Sequence, residues 1–226
     1  DVGCIADTVS KIVTVSPLPT ATISGDLQVC LNAALPNVTF TGAIGMAPYT
    51  FTYNINGGAN QTVTTVSGNS VTVSAPTNAP GTFVYNLVSI SDASLAVCAQ
   101  PQTGSVTIQV NPLPTATISG TFSICKNGAA PNITFTAAGG AVAPYTFTYN
   151  INGGPNQTVS TVSGNSVTVA VPTSVAGTFT YNLLNVSDAS TTLCGQAQSG
   201  SATVTVIELP TANITGTTEV CLNGTS

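Results

Sequence analysis

Apolar residues alternate with threonine and serine along most of this chain, a pattern typical of strands with one buried and one solvated face. In the segment 49–55, Tyr49, Phe51, Tyr53 and Ile55 fall on one face, and hydroxyl or amide residues fall on the other. No segment shows the period of an amphipathic helix. The alternation predicts seven short strands in the first complete stretch of the pattern, at residues 20–24, 37–41, 49–55, 61–66, 71–74, 81–90 and 104–110.

The same pattern then repeats. The block 17–25 returns unchanged at 112–120 and begins again, altered, at 208. A repeat of this length is a whole domain, because solenoid units have only about 20–50 residues. The chain is therefore predicted to contain the tail of one repeat, two complete repeats and the start of another, with boundaries at 1–16, 17–111, 112–207 and 208–226.

About seven short strands separated by turn residues predict an immunoglobulin-like (Ig-like) β-sandwich for each complete repeat. The fold class is therefore all-β. Pro17 and Pro19 precede the first strand of one repeat, and Pro112 and Pro114 precede that of the next. Because proline fixes φ, such a Pro-x-Pro joint is a semi-rigid spacer. We expect the tandem domains to form a rod-like array in which neighbouring repeats of the same chain are partners.

The cysteines recur in phase with the repeat. Cys125 follows Cys30 by 95 residues, and Cys194 follows Cys98 by 96. Since the chain has no histidine, this spacing favours disulfides over zinc and implies an oxidising, extracellular compartment. The simplest connectivity closes each repeat on itself, with Cys30 bonded to Cys98 and Cys125 bonded to Cys194.

Cys4 and Cys221 lie in the partial repeats at the two ends of the chain. By phase, Cys4 is the late cysteine of a preceding repeat and Cys221 the early cysteine of a following one. We therefore expect both to be unpaired within this chain, with their partners in adjacent repeats.

Charged residues make up only 4% of the chain, with two lysines and a net charge of −5. Nucleic acids and anionic membrane surfaces are bound through clustered lysine and arginine, so neither kind of partner is expected. No apolar run approaches the ~18 residues that a membrane-spanning helix needs.

The sequence offers no arrangement of residues for catalysis. Without histidine there is no Ser–His or Cys–His pair, and no spacing suggests paired carboxylates. Asp92 and Asp188 recur in the same motif and could ligate calcium, but calcium takes about six to eight oxygens and the seven acidic residues are scattered. Capping of a turn is the simpler role. We predict that the chain is not an enzyme and binds no metal or cofactor.

Two further features have both a functional and a structural interpretation. Lys126 could form an intramolecular isopeptide bond, but its equivalent in the other repeat is Leu31. Threonines such as Thr50 and Thr52 could form a flat hydroxyl face that binds ice or polysaccharide. The solvated face of an ordinary strand, in a protein with few charges, is the simpler interpretation of these threonines.

Several motifs occur together, and in the same order, in each complete repeat. In the first repeat they are Pro-Tyr-Thr-Phe-Thr-Tyr-Asn-Ile-Asn-Gly-Gly at 48–58, Gly-Thr-Phe-Val-Tyr at 81–85, Ser-Asp at 91–92, Cys98, and Gly-Ser-Val-Thr-Ile at 104–108. This set resembles the tandem Ig-like or PKD-like repeats of very large Bacteroidetes cell-surface proteins. The resemblance implies export by the type IX pathway and a structural place in gliding or adhesion filaments.

We therefore predict a structural stalk or filament of disulfide-braced Ig-like repeats, extracellular and on a bacterial cell surface, that supports adhesion or gliding. Strand edges with few charges to block them also favour self-association into a filament or bundle. One alternative is a glycan-binding adhesin module, and another is an accessory repeat array of a secreted enzyme. The aromatic residues alternate within strands and do not cluster in loops, which favours the stalk.

Overall fold

A computed structural model describes residues 9–140, 142–216 and 222 of the chain. Every regular element in these residues is a β-strand, which confirms the all-β prediction. The chain forms two compact units. Among the described residues, the first unit comprises those up to Leu113 together with the segment Ser190–Cys194, and the second comprises those of Pro114–Ala189 and those from Gly195 onward. None of the described residues belongs to a helix that is long and apolar enough to cross a membrane.

The first unit contains the seven predicted strands and two short strands that the sequence pattern did not predict. The nine strands are β1 (Thr20–Ser24), β2 (Leu27–Cys30), β3 (Asn37–Ala43), β4 (Thr50–Ile55), β5 (Gln61–Thr64), β6 (Ser70–Ser74), β7 (Gly81–Ser91), β8 (Ala99–Pro101) and β9 (Ser105–Asn111).

The second unit repeats this series strand for strand. Its strands are β10 (Thr115–Ser119), β11 (Phe122–Cys125), β12 (Asn132–Ala138), β13 (Thr146–Ile151), β14 (Gln157–Ser160), β15 (Ser166–Ala170), β16 (Gly177–Ser187), β17 (Gly195–Ala197) and β18 (Ser201–Ile207).

Each unit is an Ig-like sandwich of one small and one large sheet. In the first unit the small sheet has the order β1–β3–β6, and the large sheet has the order β2–β9–β7–β4–β5, with β8 paired to β7. The second unit has the equivalent order in both sheets. Neighbouring strands are antiparallel, except that β2 runs parallel to β9 and β11 runs parallel to β18. The second strand of each unit is therefore hydrogen-bonded to the last.

The core of each unit lies between its two sheets. In the first unit, Phe40 of the small sheet packs against Phe51 and Tyr53 of the large sheet, with ring centroids 5.6 and 5.0 Å apart. The three equivalent rings of the second unit have the same separations. Tyr85 is also buried, whereas Phe83 is only partly buried and packs against this core.

Candidate functional site

A disulfide joins Cys30 to Cys194, with 5.5 Å between their Cα atoms. Cys30 is the last residue of β2, and Cys194 ends the loop between β16 and β17. The two cysteines are 164 residues apart and belong to successive sequence repeats. The segment Ser190–Cys194 nevertheless belongs to the first compact unit. The chain thus returns to the first unit after most of the second repeat has been completed.

The predicted closure of each repeat on itself is therefore wrong for Cys30 and Cys194. Strand β7 begins beside the end of β9 that pairs with Cys30 and ends beside β8, which directly follows Cys98. Its 11 residues span roughly 35 Å, whereas bridged cysteines have Cα atoms within about 7 Å. Cys30 and Cys98 lie at opposite ends of one sandwich, and β16 separates Cys125 from Cys194 in the same way.

The remaining predicted disulfide residues carry free thiols in this structure. Cys98 is half-buried and Cys125 is exposed. Cys4 and Cys221, which we expected to be unpaired within the chain, lie outside the described residues.

Hydrogen bonds hold the Ser190–Cys194 segment within the first unit. The hydroxyl of Thr191 donates to Oε1 of Gln28 over 2.8 Å. Nδ2 of Asn111 donates to the hydroxyl of Thr192 over 3.3 Å. The side chain of Cys194 is completely buried. The cysteine of this loop is therefore positioned by contacts to β2 and β9 as well as by the covalent bond.

A concave surface that encloses a volume of about 630 Å³ lies beside the disulfide. Its lining comprises one carboxylate, one leucine and the side chains of glutamine and threonine residues, at Asp26, Leu27, Gln28, Thr107, Gln109, Thr191 and Thr192. Small-molecule sites are usually lined by apolar and aromatic side chains with a few polar groups. The lining therefore does not have the composition of a small-molecule pocket.

Asp92, the candidate calcium ligand, uses its carboxylate to fix the loop that precedes Cys98. Oδ1 accepts hydrogen bonds from the hydroxyl of Ser94 over 2.7 Å, from the amide of Ser94 over 3.2 Å and from the amide of Cys98 over 3.0 Å. Oδ2 accepts one from the amide of Met46 over 3.1 Å. The bond from the Ser94 hydroxyl, helped by these amides, lowers the pKa of Asp92 below its ordinary value. Asp188 is buried at the equivalent position.

The described residues contain no group of three or more cysteine, aspartate or glutamate side chains that could hold a metal ion. In Asp92 all four hydrogen bonds come from the protein itself, so the observed chemistry of this carboxylate is that of a loop cap.

A pair of glutamines, which the sequence pattern did not single out, fastens the first strand of each unit. In the second unit, Nε2 of Gln196 donates to the carbonyl of Pro114 over 2.8 Å. Oε1 of Gln198 accepts from the amide of Ala116 over 3.0 Å. The first unit makes the same two contacts. We call these two contacts the glutamine clasp. The Gln-x-Gln spacing, repeated in phase at 100/102 and 196/198, is the sequence signal that could have revealed it.

The four linker prolines differ in burial. Pro19 and Pro114, whose carbonyls accept the glutamine bonds, are buried. Pro17 is exposed and Pro112 is half-buried. The second proline of each pair is thus part of a folded unit.

The two other candidates from the sequence have structural contacts. Lys126 forms a salt bridge with Glu208, with 2.8 Å between Nζ and Oε1. The hydroxyl of Thr50 is hydrogen-bonded to that of Thr64 on the neighbouring strand over 2.9 Å. Thr146 makes the equivalent bond to Ser160 over 2.8 Å. Hydroxyls on these strand faces are therefore paired with one another.

No protein-family model and no curated protein matches this chain. Among solved structures, the chain is similar to one from a study of host cell surface retention of a 1.5-MDa bacterial ice-binding adhesin. The two are 18% identical with a TM-score of 0.49, over 89% of this chain and 68% of that one.

Two further solved structures illustrate the range of similar proteins. One is a Ca²⁺-stabilized adhesin that helps an Antarctic bacterium bind ice, with 21% identity, a TM-score of 0.45, and coverage of 86% of this chain and 49% of that one. The other is the N-terminal eight Ig domains of the Down syndrome cell adhesion molecule. Its identity is 13%, its TM-score is 0.47, and the match covers 85% of this chain and 25% of that one.

Proposed function

We propose that this chain is part of a structural stalk or filament of Ig-like repeats on a bacterial cell surface, where it supports adhesion or gliding. The observation that carries the proposal is the bond between Cys30 and Cys194, which ties residues of two successive sequence repeats together. A disulfide used in this way connects domains in series.

The chemistry of the chain supports an extracellular place for such a stalk. Disulfides persist in oxidising compartments. Only two lysines and seven acidic residues occur in the whole chain, so the surface has little charge with which to steer a charged ligand. The resemblance of the motifs to Bacteroidetes surface repeats favours export by the type IX pathway, and the uncharged strand edges favour self-association.

A glycan array followed by titration calorimetry tests the stalk against a glycan-binding module. We expect no glycan, nucleic acid or lipid to bind better than about millimolar, which corresponds to ~4 kcal/mol of binding free energy. A micromolar glycan would favour the binding module, provided that Gln28→Ala and Thr191→Ala at the concave surface abolish its binding. The matched control is Val162→Ala at a fully exposed residue outside the concave surface, which should leave that binding unchanged.

Small-angle scattering tests the rod-like array that a stalk requires. We propose that the paired prolines limit bending between consecutive domains. With the Cys30–Cys194 bond reduced, the double variant Pro112→Gly and Pro114→Gly should then broaden the distribution of maximum dimensions, relative to the unchanged protein in the same reductant, while both domains stay folded. A distribution that is already broad in the unchanged protein would contradict the stalk.

A further inference from the structure

Two cysteines with free thiols occupy positions at which the other repeat has a bonded cysteine. Cys125 is equivalent to Cys30, 95 residues earlier, and Cys98 is equivalent to Cys194, 96 residues later. The bonded pair therefore consists of the early cysteine of one repeat and the late cysteine of the next. The unbonded pair consists of the late cysteine of the first complete repeat and the early cysteine of the second.

The surroundings of Cys125 reproduce those of Cys30. Each is the last residue of a strand that runs parallel to the last strand of its unit, where Cys125 pairs with Ile207 and Cys30 with Asn111. In each case the next amide donates to the carbonyl of that partner over 2.8 Å. The asparagine two residues after each cysteine has a φ of 62°. The backbone around Cys125 thus has the same strand pairing and turn as the backbone around its bonded equivalent, Cys30.

The surroundings of Cys98 reproduce those of Cys194. The amide of each cysteine donates to a serine hydroxyl four residues earlier over 3.3 Å. The preceding residue has a positive φ in both loops, 45° at Val97 and 48° at Leu193. This shared loop conformation directs the two late cysteines in the same way.

A contact of Cys98 with Ser16 also indicates where a bonding partner of Cys98 would lie. Cys30 pairs in register with Asn111, and Nδ2 of Asn111 donates to Thr192 in the loop that carries Cys194. In the repeat pattern, Asn111 is equivalent to Ser16. The thiol of Cys98 lies 4.0 Å from the carbonyl oxygen of Ser16. An early cysteine paired with Ser16, as Cys30 is with Asn111, would therefore lie beside Cys98.

We propose that a longer array of these repeats is linked by a continuous ladder of disulfides, in which the early cysteine of every repeat bonds the late cysteine of the next repeat. Cys125 then bonds the late cysteine of the following repeat, and Cys98 bonds the early cysteine of the preceding one. The Cys30–Cys194 bond is the one step of this ladder that the chain contains complete.

Each step of the ladder forms by thiol–disulfide exchange. The thiolate of one cysteine attacks a small-molecule disulfide, such as glutathione disulfide, and releases one thiol. The second cysteine attacks the mixed disulfide and releases the second thiol. Two cysteine thiols are thereby oxidised to one disulfide, the oxidant disulfide is reduced to two thiols, and the protons of the two cysteine thiols are taken up by the released thiolates.

The test uses the full chain lengthened by a second copy of residues 112–207, inserted after residue 207. The protein is refolded in a glutathione redox buffer, its free thiols are alkylated, and it is unfolded in urea and digested with trypsin. Because the lysines are Lys11 and Lys126, cleavage after Lys126 and after its copy gives three large pieces. The first piece holds Cys30, Cys98 and Cys125, the middle piece holds Cys194 and the copied Cys125, and the last piece holds the copied Cys194 and Cys221.

The variant Cys30→Ser distinguishes the two connectivities before any reduction. The ladder leaves the first and last pieces bonded through Cys125 and the copied Cys194, so the middle piece is released. Closure of each repeat on itself would keep all three pieces together. The matched variant Cys125→Ser should instead release the last piece alone and keep the first two joined.

Three results would overturn the ladder. The first is retention of the middle piece in Cys30→Ser. The second is release of the first piece in Cys125→Ser, as closure within each repeat requires. The third is a covalent dimer of chains through Cys98 and Cys125, which would appear on a non-reducing gel and disappear on reduction.

Discussion

At the residue scale, Asp92 shows how a motif that could bind calcium instead caps a loop. Its carboxylate accepts four hydrogen bonds, and one of them comes from the amide of Cys98. A carboxylate that accepts several bonds is stabilised in its charged form. The loop that presents the late cysteine therefore depends on the ionised state of this side chain.

The variant Asp92→Asn should lower the free energy of unfolding at neutral pH, because asparagine keeps one acceptor oxygen, whereas the amide nitrogen that replaces the other oxygen cannot accept the hydrogen bond from Met46. The pKa of Asp92 is lower in the folded protein than its ordinary value of 3.8. Its contribution is therefore fully present above the ordinary value and is lost as the pH falls through the lower, folded value. Urea unfolding from pH 6 to pH 2 should show a steeper loss of stability in the unchanged protein than in the variant.

The variant Ser94→Ala is the control for that experiment, because it keeps the carboxylate and removes the hydroxyl that lowers the pKa most. It should show an intermediate pH dependence. Equal pH dependence in the unchanged protein and in Asp92→Asn would show that this carboxylate is not linked to folding.

At the element scale, the shortest strands determine how each sandwich is closed. β8 has three residues and β17 has three, and the glutamines in and after them bond the first strand of their unit. These bonds cross from the edge of the large sheet to the first strand of the small sheet. They join two sheets that share no strand pairing.

Replacing Gln198 by alanine should destabilise the second unit by about 1–2 kcal/mol, because the part-buried amide of Ala116 loses its acceptor. Hydrogen exchange should report faster exchange at that amide. Gln109→Ala is the matched control, since Gln109 accepts a bond from an exposed threonine hydroxyl, and it should cost less than about 0.5 kcal/mol. Equal costs for the two variants would mean that the clasp does not stabilise the first strand.

The strands that the sequence predicted and those that it missed differ in the length of their alternating apolar and polar pattern. All seven predicted strands are present, because each had enough alternating positions to define a period. β2 has four residues and β8 has three, including Pro101. β5 also has four residues, but its sequence pattern extends over 61–66, which is long enough to distinguish a strand from a loop. Of the two bonded cysteines, Cys30 is the last residue of β2, and Cys194 directly precedes β17, the equivalent of β8.

The disulfide pairing was unpredictable from the sequence for a related reason. The phase of the cysteines shows that Cys30 and Cys125 are equivalent, but it does not show which end of the sandwich each one occupies. That position depends on the parallel pairing of β2 with β9, which depends on contacts between distant residues. The paired prolines were visible in the sequence, whereas the burial of Pro19 and Pro114 depends on the glutamine clasp.

At the scale of the whole molecule, the Cys30–Cys194 bond closes a loop of 164 residues. In the chain-entropy model, a loop of this length stabilises the folded state by about 5 kcal/mol. The variant Cys30→Ser should therefore lower the melting temperature under non-reducing conditions. Cys98→Ser, at a thiol that is free in this structure, should leave it within about a degree. An equal drop in both variants would contradict the observed pairing.

The same bond determines which part of the chain would carry a pulling force. Tension applied to the two ends passes from Cys30 through the sulfur atoms to Cys194. Strands β3 to β16 are therefore bypassed, and of the described strands only β1, β2, β17 and β18 lie in the loaded path. Single-molecule stretching should therefore show a gain in contour length of roughly 550 Å when a reductant is added, at about 3.4 Å per residue. Cys30→Ser should have the longer contour from the start. A contour length that does not change with reductant would mean that the backbone between the two cysteines bears the load. A gain of this size would mean that the segment between the two cysteines cannot be extended for as long as the sulfurs stay joined.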